Sequence, residues 1–164
     1  MTALSFSFFW QRPVDRSGTP PFVTHRVSTP AMNSQGQITL TLLHDLALLY
    51  LGLAHGADDD LDPQETMEIA AKLRRWQPDK DPALIDHVIR EATLTYLNGA
   101  TDQRLSEAVQ VLGSQLGKPL LKAILGDLVD IARADGIVVT GERSFINDVA
   151  DAWNLEITPP PATN

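Results

Sequence analysis

The sequence predicts an all-α fold: a compact bundle of about six helices that includes two pseudo-symmetric helical hairpins. Three observations carry this expectation. Apolar residues recur at helical spacing between Ile38 and Trp153. No stretch alternates apolar and polar residues long enough for a strand, and the β-prone run from Gly136 to Val139 is too short. A segment also occurs twice: LAHGADDDLDPQE from Leu53 to Glu65, and DIARADGIVVTGE from Asp130 to Glu142, at an offset of 77 (135 − 58).

The first helix is expected over Ile38 to Gly56. Leu and Ala cover most of its faces, the pattern of a buried central helix. The second opens at Asp62-Pro63-Gln64-Glu65. Asp62 can cap, Pro63 suits the first helical position, and Glu65 sits where a capping box needs it. It runs through Ile69, Leu73 and Trp76 and stops before Pro78. The third starts near Pro82 and ends at Asn98-Gly99, a helix-stop pair. Thr101 caps a fourth, carrying Leu105, Val109, Leu112 and Leu116, and Gly117 closes it. The fifth spans Pro119 to Ala134 and ends at Asp135-Gly136; the sixth spans Thr140 to Trp153.

The repeat reaches past the acidic turns. At the same offset Leu43, Leu48 and Leu51 fall on Leu120, Leu125 and Leu128. Ala57, Asp58 and Glu65 fall on Ala134, Asp135 and Glu142, and Ile69, Trp76 and Pro82 on Ile146, Trp153 and Pro159. Nine identities in positions 43–82 exceed what composition alone gives, and paired Trp and paired Asp…Glu are not a by-product of abundant Leu.

Residues 1–37 differ from the rest. They carry Pro13, Pro20, Pro21 and Pro30, no helical period, and are expected to be a flexible tail. Residues 38–157 form the expected helical domain, and 158–164 a short polar tail. The apolar start, Met1 to Trp10, lacks the basic region and long apolar core of a signal peptide. Its Phe6, Phe8, Phe9 and Trp10 are candidates for docking on a partner or on the domain. Met32 is a second candidate translation start.

The net charge is −8. The tail holds Arg12, Arg16 and Arg26 against Asp15, a balance of +2, so the remainder carries −10 (−8 − 2). Such a domain repels phosphate backbones, which argues against direct nucleic-acid binding and for metal cations or a protein partner with a basic surface. There is no cysteine, which excludes disulfides and thiolate chemistry and fits a cytoplasmic location. No apolar run approaches the roughly 20 residues of a membrane span.

A hard divalent cation needs several oxygen ligands. The first turn offers Asp58, Asp59, Asp60, Asp62 and Glu65; the second offers Asp135 and Glu142, with Asp127 and Asp130 upstream. Each copy sets an Asp at a helix end and a Glu in the first turn of the next helix, so two hairpins about a two-fold axis would pool their carboxylates. The plainer reading makes Asp135-Gly136 a helix stop and Glu65 a capping residue, favoured by the helix dipole without any metal. An EF-hand fails, because Pro63 stands where its loop needs Gly and Ile69 where it needs Glu. No Glu-x-x-His, His-Glu-x-x-His, P-loop or Gly-x-Gly-x-x-Gly occurs. His25, His44, His55 and His87 are scattered; only His55 lies near Asp58.

The string Ile131-Ala132-Arg133-Ala134-Asp135-Gly136-Ile137-Val138, followed by Glu142 and Phe145-Ile146, resembles the signature of the tellurite-resistance TerB-like superfamily. That superfamily includes a helical region of certain DnaJ-like co-chaperones. The resemblance spans about residues 38–157 and is strongest in the second copy. It implies an all-α, internally symmetric fold with an acidic cluster able to bind divalent cations, calcium among them. It also implies a non-enzymatic role in tellurite and stress resistance, often beside membrane-associated complexes and phage-defence systems. Carried onto this chain, the metal ligands are Asp58, Glu65, Asp135 and Glu142. The first copy departs from the pattern, with Asp59 where Gly is usual. Two readings compete: an acidic helical adaptor or co-chaperone-like interaction domain without a metal, and a metal-assisted hydrolase, for which no convincing base or open position is present.

Overall fold

The structure is a computed structural model that describes residues 38–56, 63–98, 101–134, 136 and 138–157. The two tails, with the aromatic residues 6–10 and Met32, lie outside the described residues. The described residues form α1 (Leu40–Gly56), α2 (Pro63–Trp76), α3 (Pro82–Leu97), α4 (Thr101–Gln115), α5 (Lys118–Ile131) and α6 (Thr140–Ala152), with no strand. The all-α bundle expected from the sequence is what forms.

The starts of α1, α3 and α6 show local reasons. Thr39 Oγ1 accepts from the Leu42 N–H at 3.4 Å at the start of α1. Asp81 caps α3, its carboxylate accepting from the Ala83 N–H at 2.9 Å, with Pro82 at the first position. Before α6 the Glu142 carboxylate reaches back to the Val139 N–H at 2.9 Å. Valine has no side-chain acceptor, so only the glutamate half of a capping box is made there. Several ends differ by a few residues from expectation; α1, for one, starts at Leu40 rather than Ile38. Thr101 is the first residue of α4 rather than its cap. α5 ends at Ile131, not Ala134, because the chain tightens into i→i+3 bonds from Arg133 to Asp130 and from Ala134 to Ile131.

α1 is the axle of the bundle. It packs against all five other helices, and Leu46 to Leu51 are buried without interruption. An all-round apolar helix can exist in water only where neighbours cover every face. α3 and α4 form a hairpin that packs on α1.

The repeat is visible in the architecture. α2 starts at Pro63 and α6 at Thr140, the same offset of 77 (140 − 63). α1 pairs with α2 and α5 with α6; across the hairpins α1 meets α6 and α2 meets α5. A two-fold axis exchanges those last two contacts. Tyr50 and Asp127, 77 residues apart and therefore equivalent positions, hydrogen-bond to each other at 2.7 Å. A residue touches its own equivalent only where both lie beside the axis, so this pair marks it.

Candidate functional site

Of the four residues singled out as ligands, Asp58 and Asp135 lie outside the described residues. Glu65 and Glu142 are described. They sit in the first turns of α2 and α6, at equivalent positions, and both are buried, with 6% and 3% of their surface exposed. A carboxylate that deep needs a compensating partner. At a helix start the free N–H groups and the dipole supply part of it, and Glu142 is seen doing this through Val139. Gly136 has φ +84°, a left-handed conformation that glycine adopts without strain. Its counterpart in the first copy is Asp59, so the two turns cannot be built alike at equal cost. Among the described residues no group of three or more His, Asp or Glu is placed to hold a metal.

The upstream acids Asp127 and Asp130 go elsewhere. Asp127, on α5, is buried at the pseudo-two-fold axis. Its Oδ2 accepts from the Tyr50 hydroxyl at 2.7 Å and from the Trp76 indole N–H at 2.9 Å. Its Oδ1 accepts from Arg75 at 2.5 Å and lies 3.5 Å from Lys72 Nζ. Lys72 is itself buried, bonded to Asp130 and 3.2 Å from Glu68. Two cations from α2 thus face two carboxylates from α5 and one from α2. Burial works against the charge of Lys72, but the bonds to Asp130 and Glu68 outweigh it and its pKa is raised. Tyr50 is fully buried; burial and the Asp127 charge push its pKa well above 10, so it stays a donor. This arrangement ties α2 to α5 through charge and leaves neither Asp127 nor Asp130 in the ligand pool the sequence reading allowed them.

Sequence reasoning missed this network. The signal was present: at a repeat axis, equivalent residues meet, and Tyr50 opposite Asp127 is a donor opposite an acceptor.

A second set of titratable groups lies where α1 meets α3 and α4. Burial raises the Asp45 pKa to about 6, with Glu107 adding to the shift and Arg104 opposing it. Burial and then Arg104 lower that of His44, which is bonded to the Glu91 backbone. His55, the histidine nearest the first acidic turn, packs edge-on against Tyr96, with ring centroids 5.2 Å apart.

No protein-family model and no curated protein matches the chain. Among solved structures, the crystal structure of a protein of unknown function from Porphyromonas gingivalis W83 is similar, with a TM-score of 0.56 and 14% identity. The match covers 75% of this chain and 90% of that one. The likeness is one of fold. It extends the helical bundle to a second protein and assigns no activity to either. No described helix is long and apolar enough to cross a membrane.

Proposed function

We propose that this chain is a non-enzymatic helical module of the TerB-like kind whose duplicated acidic turns bind a divalent cation, calcium being the ion to try first. One observation supports this above the others: Glu65 and Glu142 occupy equivalent first-turn positions, and both are buried. Selection for helix capping alone does not require the carboxylate to be sealed from water, since exposed caps work as well. A ligand for an ion held between a turn and the following helix would be positioned in this way, with Asp58 and Asp135 as the turn donors. A cytoplasmic stress-response role, tellurite resistance and attachment to a membrane-associated complex belong to the same proposal.

Calorimetric titration of the full chain with calcium, magnesium and zinc tests it. Binding to the folded state must raise the melting temperature by mass action. The variant Asp135→Asn with Glu142→Gln is expected to abolish that rise while its helical circular dichroism is unchanged. No heat and no thermal shift with any of the three ions would overturn the reading.

A second reading has its own support. Glu142 is already engaged as a cap, and Asp127 and Asp130 are already matched by Lys72 and Arg75. The remaining acids, such as Asp81, Asp86, Glu91, Asp102 and Asp151, are exposed. That distribution suits an adaptor whose acidic surface meets a basic partner without a metal, and this reading stands if the titration is silent.

A further inference from the structure

The repeat leaves one helix face without its counterpart's cover. The α3–α4 hairpin packs on α1, whereas the main neighbours of α5 are α1, α2 and α6. The consequence is written in the side chains. Leu46, Leu49 and Leu53 of α1 are buried. Their equivalents on α5, 77 residues on, are Ala123, Gly126 and Asp130, and all three are exposed. A Cβ added at Gly126 would meet nothing within 4 Å.

The free charges on this face share one sign. Lys118, Lys122 and Arg133 are exposed and make no ion pair among the described residues. Asp130, the acid beside them, is bonded to Lys72. On a protein of net charge −8 this is a local positive stripe. Lys118 and Lys122 are one turn apart, and at 1.5 Å per residue the 14-residue helix presents a face about 21 Å long.

We propose that the outer face of α5 docks an acidic amphipathic helix of a partner protein, in the position relative to α5 that the α3–α4 hairpin takes relative to α1. Ala123 and Gly126 let a second helix approach at the short end of the usual 8–10 Å range. The partner supplies the large apolar side chains that this face lacks, and its acidic flank pairs with Lys118, Lys122 and Arg133. The acidic remainder of the domain repels the same partner, so charge directs it to this face. The inference is independent of the cation reading.

The test uses the full-length chain and a synthetic fluorescein-labelled helical peptide with Leu at i, i+3, i+4 and i+7 and Glu on its flanks. A twin peptide carries Lys in place of Glu. Anisotropy titration is expected to show binding of the Glu peptide only, weakening as salt rises from about 50 to 300 mM. Lys118→Glu with Lys122→Glu is expected to lose at least about 10-fold in affinity, and Gly126→Phe a similar amount, whereas Lys80→Glu, off this face, changes nothing. Because all three altered positions are exposed, melting curves should show the variants folded; Lys118→Ala with Lys122→Ala serves as the milder form. Failure of the wild type to bind, equal binding of the Lys peptide, or an unaffected charge-reversed variant would each overturn the proposal. So would self-association of the wild type that the charge reversal abolishes, since the occupant would then be a second copy of this chain.

Discussion

The two ends of the repeat, α1–α2 and α5–α6, share a design and live in different surroundings. α1 is buried by every other helix; α5 is buried on one side and wet on the other. Trp76 and Trp153 close the second helix of each hairpin, yet Trp76 sends its indole N–H to Asp127 on the axis, while Trp153 sends its own to the Val109 carbonyl on α4 at 2.9 Å. Glu65 and Glu142 keep the same place and the same burial. The comparison teaches that the helix starts survive duplication because they are set locally, while the outward faces diverge because only one hairpin acquired a cover. At the axis the two copies meet as Tyr50 and Asp127, so the centre of the molecule holds together through a difference between the halves.

The largest expected effect comes from removing that difference. Asp127→Ala leaves Lys72 buried with one carboxylate fewer, strips Arg75 of its partner, and orphans the Tyr50 hydroxyl and the Trp76 indole N–H. Breaking a buried ion pair from one side costs about 3–5 kcal/mol. Tyr50→Phe removes one bond to a charged acceptor and should cost about 1.5–3 kcal/mol. Urea denaturation measures both. If Asp127→Ala cost no more than an exposed ion-pair variant such as Asp86→Ala, the axis network would have to be called decorative.

Two glycines sharpen the contrast between the covered and the open side. A Cβ at Gly113 on α4 would lie 2.7 Å from Trp153 Cδ1, against a ring held by its bond to Val109. Gly113→Ala should therefore cost about 1–3 kcal/mol through overpacking, despite the better helix former. Gly126→Ala, with open space around it, should instead stabilise by roughly 0.5–1 kcal/mol. Thermal melts of the two variants should move in opposite directions; equal shifts would mean that Trp153 yields freely or that α5 is covered after all.

Much of this was legible in the chain. Pro63, Pro82 and Pro119 each sit at a helix start, and the all-round apolar run of α1 announced a central helix, because those signals act within one or two turns. The end of α5 was less legible, since Ala132 to Ala134 favour a helix and only the tightened i→i+3 bonds stop it. The candidate site was half legible. Glu65 and Glu142 were placed at helix starts, but their depth depends on packing that no local pattern encodes. Asp127 and Asp130 read only as acids upstream of the second turn, because Lys72 and Arg75, more than 50 residues away, become their neighbours only after α2 and α5 have packed.

A comparison confined to one window of pH sets Asp45 against its equivalent, Lys122. Asp45 is partly buried on α1, facing Arg104 and Glu107 on α4; Lys122 is exposed on α5. Burial raises the Asp45 pKa from 3.8 to about 6, so the folded state favours the protonated acid. Its contribution to stability is therefore best in acid and declines as pH rises from 3.8 through about 6, leaving the full cost at neutral pH. His44 works the other way. Its lowered pKa means the folded state resists protonation, so its contribution is lost as pH falls below 6.5. In the wild type the two slopes oppose each other. Asp45→Asn removes one of them and should stabilise by on the order of 1 kcal/mol near pH 7, after allowance for solvent screening, with little gain near pH 4. The stability of that variant should then fall steadily toward acid, the slope left by His44. Lys122→Asn should leave the profile unchanged. Urea midpoints collected across this pH range decide the matter: a gain for Asp45→Asn that is the same at both ends would show that the benefit comes from shape or hydrogen bonding and not from a carboxylate held out of water by the hairpin that α5 lacks.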